Sequence, residues 1–188
     1  MTVTVLLTLL FARLRGYRLK PLLKAWWLYP VFAAELIGIF LQLQIFCGNY
    51  AFVEWYGYIK TGYMLLYVLP VVAYKVYKPA LAGSGFILAG TLLNKAVMAA
   101  NGGKMPVYPT LSRVTGYFNE AMFGEHSTIH VMGTADTRLK LLSDFIDTGY
   151  SVMSIGDLLI RVFVVLVLFY TLRTLQRPEG EEHRVGDG

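Results

Sequence analysis

Four ionisable residues fall inside long apolar segments of the chain, namely Glu35, Lys95, Asp157 and Arg161. An ionisable side chain in lipid costs several kcal/mol unless it is paired or hydrated, so these positions are the first candidates for function. Placed on helices that rise about 1.5 Å per residue, they lie at overlapping depths. The spacing favours ion pairs of Asp157 with Lys95 and of Glu35 with Arg161. Such pairs fit either structural links between helices or the lining of a polar cavity.

A second candidate feature is the turn "NGGKMPV", Asn101 to Val107, which ends an apolar segment. Its two glycines suit a helix C-terminus, and Pro106 and Pro109 prevent the helix from resuming. The turn would hold Lys104 above Lys95. We expect this turn to pack against the sequence "SIGD" at 154–157 and to close a small polar pocket. The candidate polar cluster comprises Glu35, Gln42, Asn94, Lys95, Asn101, Lys104, Asp157 and Arg161.

Metal and cofactor chemistry have little support in the sequence. His126 and His130 are four residues apart, and Asp136, Asp144 and Asp147 could add oxygen ligands. However, the chain has no HExxH pattern and no third histidine nearby. The single cysteine, Cys47, excludes a disulfide within the chain. We therefore expect no metal site and no cofactor.

The composition is that of a membrane protein. Of the 188 residues, 56% are hydrophobic and only 15% are charged, and the mean hydropathy is +0.52. Too few charges are present to cover a soluble domain of this size, so lipid is the expected environment. The net charge of +5 comes from basic residues beside apolar segments, which is typical of membrane topology signals rather than of nucleic-acid binding.

These patterns predict an all-α, polytopic helix bundle with about five transmembrane helices, the first of them short, in one integral membrane domain at 1–175. Pro70 should kink the third helix, and the small residues Ala82, Gly85 and Ala89 should mark a close helix contact. The long polar loop should carry two short amphipathic helices, the first with Thr110 as its N-cap. The predicted segments are transmembrane helices at 1–14, 25–47, 61–77, 79–100 and 154–172, the loop at 101–153, its helices at 110–124 and 136–146, and a disordered tail at 176–188.

Basic residues near the helix ends predict the orientation. Five lie at 13–24, two at 75–78 and two more at Arg173 and Arg177, whereas the basic residues on the opposite side are spread over longer loops. By the positive-inside rule the first group is cytoplasmic. The N-terminus and the loop at 101–153 are then outside and the C-terminus is cytoplasmic. The expected partners are membrane lipid and an unidentified membrane or extracytoplasmic protein, and no nucleic acid.

Four features together resemble an uncharacterised family of small bacterial integral membrane proteins, classed as a domain of unknown function. They are the basic turn at 13–24, the NGG-x-MPV loop at 101–107, the "TRLKLLSD" segment at 137–144 and the final helix that starts S-[IV]-G-D at 154–157. The resemblance implies a multi-pass protein of the bacterial inner membrane and implies no activity. Our leading interpretation is a binding or accessory protein with an outward-facing polar pocket.

A weaker similarity concerns the lipoprotein signal peptidases, which are membrane aspartic proteases. The segments "ADTRLKLLSDFID" and "SIGDLLI" look similar to the two aspartate motifs of that family, and the resemblance would place a catalytic pair on Asp136 and Asp157. Two such carboxylates can activate water for amide hydrolysis, one as a base and the other as an acid. The second motif departs from the family at Ser154 and Gly156. A membrane aspartic peptidase is therefore the alternative function.

Overall fold

The computed structural model describes residues 1–49, 62–119 and 129–176, and this part of the chain is mostly helical. The helices are α1 (Thr2–Leu14), α2 (Tyr29–Phe46), α3 (Gly62–Ala73), α4 (Tyr77–Ala100), α5 (Leu111–Val114) and α6 (Ile155–Thr174). Short 3-10 helices cover Lys20–Lys24, Trp26–Leu28 and Lys140–Leu142. The strands are β1 (Met105–Val107), β2 (His130–Met132), β3 (Ile146–Asp147) and β4 (Val152–Met153).

Three helical segments are long and apolar enough to cross a membrane: Trp26–Phe46, Tyr77–Ala100 and Ile155–Thr174. Their lengths of 21, 24 and 20 residues match the roughly 20 residues that a bilayer core requires. The predicted second, fourth and fifth helices are therefore confirmed as candidate spans. The helices α1 and α3 are apolar but shorter, and the total of five spans stays a prediction.

The closest helix contact joins α4 and α6, which run antiparallel. A Cβ atom at Gly83 would lie 2.9 Å from the backbone of Phe163, and one at Gly90 would lie 2.3 Å from the carbonyl oxygen of Gly156. The expectation of close packing through small residues is thus correct for α4, but the predicted face is wrong. The predicted residues Ala82, Gly85 and Ala89 are exposed. Gly83 and Gly90 are seven residues apart and therefore share the face that meets α6.

The short helix α1 packs parallel to α6. Thr4 contacts Arg161, Phe11 contacts Phe169, and Arg18 is hydrogen-bonded to Gln176. The difference in residue number between the two partners is nearly the same in each pair, so the two helices keep one register along their whole contact. Parallel packing of the first and last helices is the arrangement required when five helices alternate in direction.

The helix α3 is interrupted at Tyr67, three residues before Pro70. Proline has no N–H to donate to the carbonyl of Leu66, and its ring crowds that carbonyl, so the helix cannot continue regularly. The backbone N–H of Tyr67 bonds instead to the carbonyl of Met64 at 3.3 Å. The predicted distortion at Pro70 is confirmed.

We call residues 101–119 and 129–153 the cap, because they fold over one end of the bundle. Strand β1 pairs in parallel with β2, with Met105 opposite His130 and Val107 opposite Met132. On the other side of β1, the backbone of Asp144 bonds to Pro106 and Tyr108. The strands β3 and β4 form a small antiparallel hairpin. The cap is therefore an ordered structure.

The two amphipathic helices predicted for the loop differ from the structure. The first is limited to α5, because Gly116 takes a left-handed conformation with φ of 76°; the end of that prediction, at 120–124, lies outside the described residues. The second, predicted at 136–146, contains only the 3-10 turn Lys140–Leu142 and then an extended chain. Pairing of residue 144 with β1 replaces the helical hydrogen bonds that periodicity alone would favour.

The apolar core lies in the half of the bundle away from the cap. Its largest fully buried side chains include Tyr67, Leu28, Leu168 and Leu172. The opposite half, between this core and the cap, contains the polar contacts described next. The bundle thus separates an apolar half from a polar half.

Candidate functional site

The centre of the polar half is Asn94, on the face of α4 that meets α6. Its amide oxygen accepts a hydrogen bond from Ser154 Oγ at 2.7 Å, and its amide nitrogen donates to Asp157 Oδ1 at 3.3 Å. One side chain therefore joins α4 to both ends of the sequence "SIGD". Of the predicted cluster, Asn94 and Asp157 are brought into direct contact.

The first turn of α6 is closed by a capping box. Ser154 Oγ accepts from the backbone N–H of Asp157 at 3.0 Å, and Asp157 Oδ2 accepts from the backbone N–H of Ser154 at 3.4 Å. This reciprocal arrangement satisfies two N–H groups that a helix start leaves without partners. Gly156 is required here, since a Cβ atom would lie 2.1 Å from Asn94 Oδ1.

The turn "NGGKMPV" is fixed by Asn101, two helical turns beyond Asn94. Its amide nitrogen donates to the carbonyls of Val97 and Arg138 at 2.8 and 2.9 Å, and its amide oxygen accepts from the N–H of Arg138 at 3.0 Å. The two glycines that follow have φ values of 65° and 81°, as predicted for a helix C-terminus. The turn is thereby held to the segment that precedes the 3-10 helix Lys140–Leu142, and this 3-10 helix touches α4 and α6.

Asp147, which the sequence offered only as a possible metal ligand, organises the rest of the cap. Its Oδ2 accepts from the backbone N–H groups of Thr110 and Ser112 at 2.6 and 2.9 Å, and Oδ1 accepts from Gly149 at 2.8 Å. Burial raises the pKa of Asp147, but the hydrogen bonds from Ser112, Gly149 and Thr110 outweigh it and hold the pKa below its usual value. Asp147, and not the side chain of the predicted N-cap Thr110, therefore caps α5.

A histidine and a carboxylate also meet in the cap. His130 Nε2 lies 3.7 Å from Asp144 Oδ2, and the Asp144 side chain is buried. Within residues 1–49, 62–119 and 129–176, no group of three potential ligands is placed to hold a metal ion. The other predicted histidine, His126, lies outside the described residues.

Glu35 is buried in the bundle and accepts hydrogen bonds from two hydroxyl groups. Thr2 Oγ1 donates to one carboxylate oxygen at 2.6 Å, and the hydroxyl of Tyr63 donates to the other. The hydroxyl of Tyr67 lies 2.7 Å from that of Tyr63 and extends the chain of contacts. The predicted partner of Glu35, Arg161, instead donates to Thr4 Oγ1 at 3.2 Å.

Neither predicted ion pair is found in the part of the chain that the structure describes. For Glu35 and Arg161 the reason is α1, whose Thr2 and Thr4 provide each charged group with a hydroxyl partner. Lys95 is exposed, because it lies about 100° around α4 from Asn94, which occupies the contact with α6. Of the remaining cluster members, Lys104 lies in the cap. Gln42 lies on α2, and its Nε2 donates to the carbonyl of Tyr150 in the cap at 3.4 Å.

The two aspartates of the peptidase alternative occupy different surroundings. Asp136 is exposed in a turn after β2, two residues before Arg138. Asp157 is partly buried in the capping box beside Asn94. Arg138, near Asp136, is bonded to Asn101, whereas Asp157 is bonded to Asn94. These two asparagines are seven residues apart, which is about 10 Å along the helix axis.

Sequence reasoning missed the hydroxyl partners of the buried charges, Thr2, Thr4 and Tyr63, and the capping carboxylate Asp147. A signal was available for Ser154, because Ser-x-x-Asp before an apolar segment is a capping-box pattern. The threonines of α1 carried a weaker signal, since a threonine in an apolar helix often hydrogen-bonds across a helix contact but its partner is not identified by the sequence.

Comparison with known proteins gives one family match. Residues 19–169 match the model of a family of unknown function, DUF5317. This range leaves out α1 and therefore both threonines that contact the buried charges. No curated protein and no solved structure matches the chain.

Proposed function

The chain belongs to DUF5317, a family of unknown function, and from that premise we propose that it is a binding or accessory membrane protein whose ligand pocket is at the cap. The pocket would be formed by the turn "NGGKMPV" and the helix start "SIGD". We further propose that α1, α2, α3, α4 and α6 all cross a bacterial inner membrane, with the N-terminus outside, the C-terminus cytoplasmic and the cap outside.

The observation that carries this proposal is that asparagine side chains fix the cap end of the bundle at two levels, while the 3-10 helix Lys140–Leu142 touches α4 and α6 and Tyr150 accepts a hydrogen bond from Gln42. Asn94 joins α4 to the start of α6, and Asn101 joins the end of α4 to Arg138. A loop that served only as a connection would not need side chains bonded at both levels. Ordering such a loop costs about 1–2 kcal/mol per residue in backbone entropy, so a fixed cap indicates that its shape is used.

The charges exposed around the cap indicate what would bind. Asp147 and Asp157 are occupied by hydrogen bonds within the protein, whereas the side chains of Lys95 and Arg138 are exposed. Lys140 is exposed here as well, and Asp136 is the exposed acidic residue among the described residues at this end, so a ligand that approaches the cap meets more basic groups than acidic ones. An acidic group on a small ligand, a lipid headgroup or a protein partner fits this surface best.

Cysteine accessibility in intact cells tests the proposed orientation and the exposure of Lys95 to water. Starting from Cys47→Ser, which removes the only cysteine, Lys95→Cys should react with a membrane-impermeant maleimide. Lys78→Cys, 17 residues earlier on α4 and so about 26 Å away, is the matched control. It should react only after the cells are permeabilised. The reverse labelling pattern would contradict the orientation. If Lys95→Cys is labelled neither in intact nor in permeabilised cells, its exposure to water is contradicted.

The pocket itself is tested by the distance between spin labels at Lys104→Cys and Leu158→Cys, one on the turn and one in the first turn of α6. If the two segments pack together, the distance distribution should be narrow, and Asn101→Ala should broaden it. A broad distribution in the otherwise unchanged protein would contradict the pocket.

The alternative function is a membrane aspartic peptidase that uses Asp136 and Asp157. Its support is the motif similarity, and the different levels of the two residues favour the binding proposal over it. If the alternative is correct, the reconstituted protein should cleave a membrane-anchored lipopeptide, and Asp136→Asn and Asp157→Asn should each abolish cleavage. Cleavage that survives Asp136→Asn would exclude this pair.

A further inference from the structure

The end of the bundle opposite the cap, which we call the basic end, carries a surface groove where α3 ends and α4 begins. The groove has a volume of about 430 Å³ and is lined by Val71, Tyr77, Lys78, Ala80, Leu81 and Ser84. That volume lies within the range of roughly 300–1,000 Å³ that is usual for small-molecule sites. Leu81 on its wall is highly exposed, at 77% of its full accessibility, so the groove opens to the surroundings of the helices.

The groove exists because α3 is short. Helix α3 ends at Ala73, and the chain reverses through Lys75, whose φ of 53° is left-handed. The N–H of Val76 bonds back to the carbonyl of Val71 at 3.1 Å, which fixes the reversal. Because α3 is short, it covers only part of the side of α4, and the first turns of α4 are left with an open surface beside the end of α3.

In the described segments that form the basic end, the charge is of one sign. The basic end is formed by the C-terminal ends of α1 and α6, the turn before α4 and the segment before α2, whose 3-10 helix Trp26–Leu28 contacts the end of α3. Within residues 11–30, 68–84 and 165–176 there is no aspartate or glutamate. The exposed basic residues of these segments are Arg13, Arg15, Arg18, Lys20, Lys24, Lys75, Lys78 and Arg173.

Lys78 belongs both to the groove and to the basic surface around it, because it is the one basic residue among those lining the groove. In the part of the chain that the structure describes, neither Lys78 nor Lys75 forms an ion pair, and no side chain caps the first turn of α4. An apolar groove beside exposed lysine side chains matches a molecule with a hydrocarbon chain and an acidic headgroup. At a membrane surface, such a molecule is an anionic phospholipid.

We propose that the groove binds one anionic phospholipid, with an acyl chain along Val71 and Leu81 and the headgroup phosphate at Lys78 and Lys75. The apolar walls of the groove bury the acyl chain, and the two lysine ammonium groups donate charge-assisted hydrogen bonds to the phosphate. This site is at the other end of the bundle from the proposed pocket, so either can be correct without the other.

Native mass spectrometry of the full chain tests the site, with protein released from vesicles that contain equal amounts of phosphatidylglycerol and phosphatidylcholine. We expect one phosphatidylglycerol to be retained in preference to phosphatidylcholine. Lys78→Gln should lower that preference about five-fold, because one lysine near an anionic headgroup contributes about 1 kcal/mol. Lys24→Gln is the matched control, since it removes the same charge from the same end but outside the groove.

Two results would overturn the proposal. If Lys78→Gln and Lys24→Gln lower the preference for phosphatidylglycerol equally, the basic end attracts anionic lipid only through its overall charge and has no specific site. Retention unchanged by Ser84→Trp, which places an indole in the groove, would show that no acyl chain lies there. Ser84 suits this test because its hydroxyl bonds only to its own helix, at the carbonyl of Ala80, and Gly85→Trp, on the adjacent open position, controls for bulk.

Discussion

Replacing Gly90 by alanine should separate α4 from α6 at the level of the proposed pocket. The new Cβ atom would lie 2.3 Å from the carbonyl oxygen of Gly156, whereas carbon and oxygen normally approach to about 3.3 Å. The obstacle is backbone, so the helices must move apart by about 1 Å. Overpacking of this kind costs about 1–3 kcal/mol, and weakening the bond between Asn94 and Ser154 adds about 1 kcal/mol.

The matched control is Gly85→Ala on the same helix, where no described atom beyond the neighbouring helix backbone lies within 4 Å of the added Cβ. Both substitutions gain the same helix propensity, about 0.5–1 kcal/mol, so the difference between them isolates the contact with α6. We expect Gly90→Ala to be about 2–4 kcal/mol less stable than Gly85→Ala. The assay is reversible unfolding in mixed micelles, with the free energy of unfolding obtained for each variant. Equal stabilities would refute the packing argument.

Three further perturbations test the polar contacts. Tyr63→Phe leaves Glu35 with one hydroxyl donor fewer and should lower the free energy of unfolding by about 1–3 kcal/mol; no change would mean that the contact is not needed. Asn101→Ala should raise the hydrogen exchange rate of the Arg138 amide, whose acceptor it removes, and an unchanged rate would contradict the attachment of the cap. The pKa of Asp147 is lowered by its hydrogen bonds, so its stabilisation is present above the unfolded value of about 4 and lost as pH falls below it. Melting temperatures from pH 7 to 3 should therefore fall more steeply for the unchanged protein than for Asp147→Asn, and parallel curves would refute this.

The helices were predictable because their signals are local. Length and apolar composition located α2, α4 and α6, glycines located the end of α4, and Pro70 located the break in α3. Which face of a helix is buried depends on its partner, and so Gly83 and Gly90 could not be distinguished from Gly85 by periodicity alone.

The cap and the partners of the buried charges were less predictable because they depend on non-local contacts. Strands of two or three residues have too little pattern to be recognised, and β1 pairs with segments 25 and more residues away. Likewise, complementary charge favoured a pair between Glu35 and Arg161, but hydroxyl groups of α1 satisfied both. Charge complementarity indicates that a buried ion needs a partner, and only the packing decides which partner it has.

The distribution of contacts along the bundle suggests how the two ends divide their roles. The basic end is held by apolar packing around Tyr67 and Leu168. The cap end is held by directional bonds from a few side chains, so its geometry depends on Asn94, Asn101 and Asp147. Hydrogen bonds fix positions more narrowly than apolar contacts do, and a fixed geometry is what a binding pocket requires. The apolar half can therefore anchor the protein while the cap end holds the shape that a ligand would recognise.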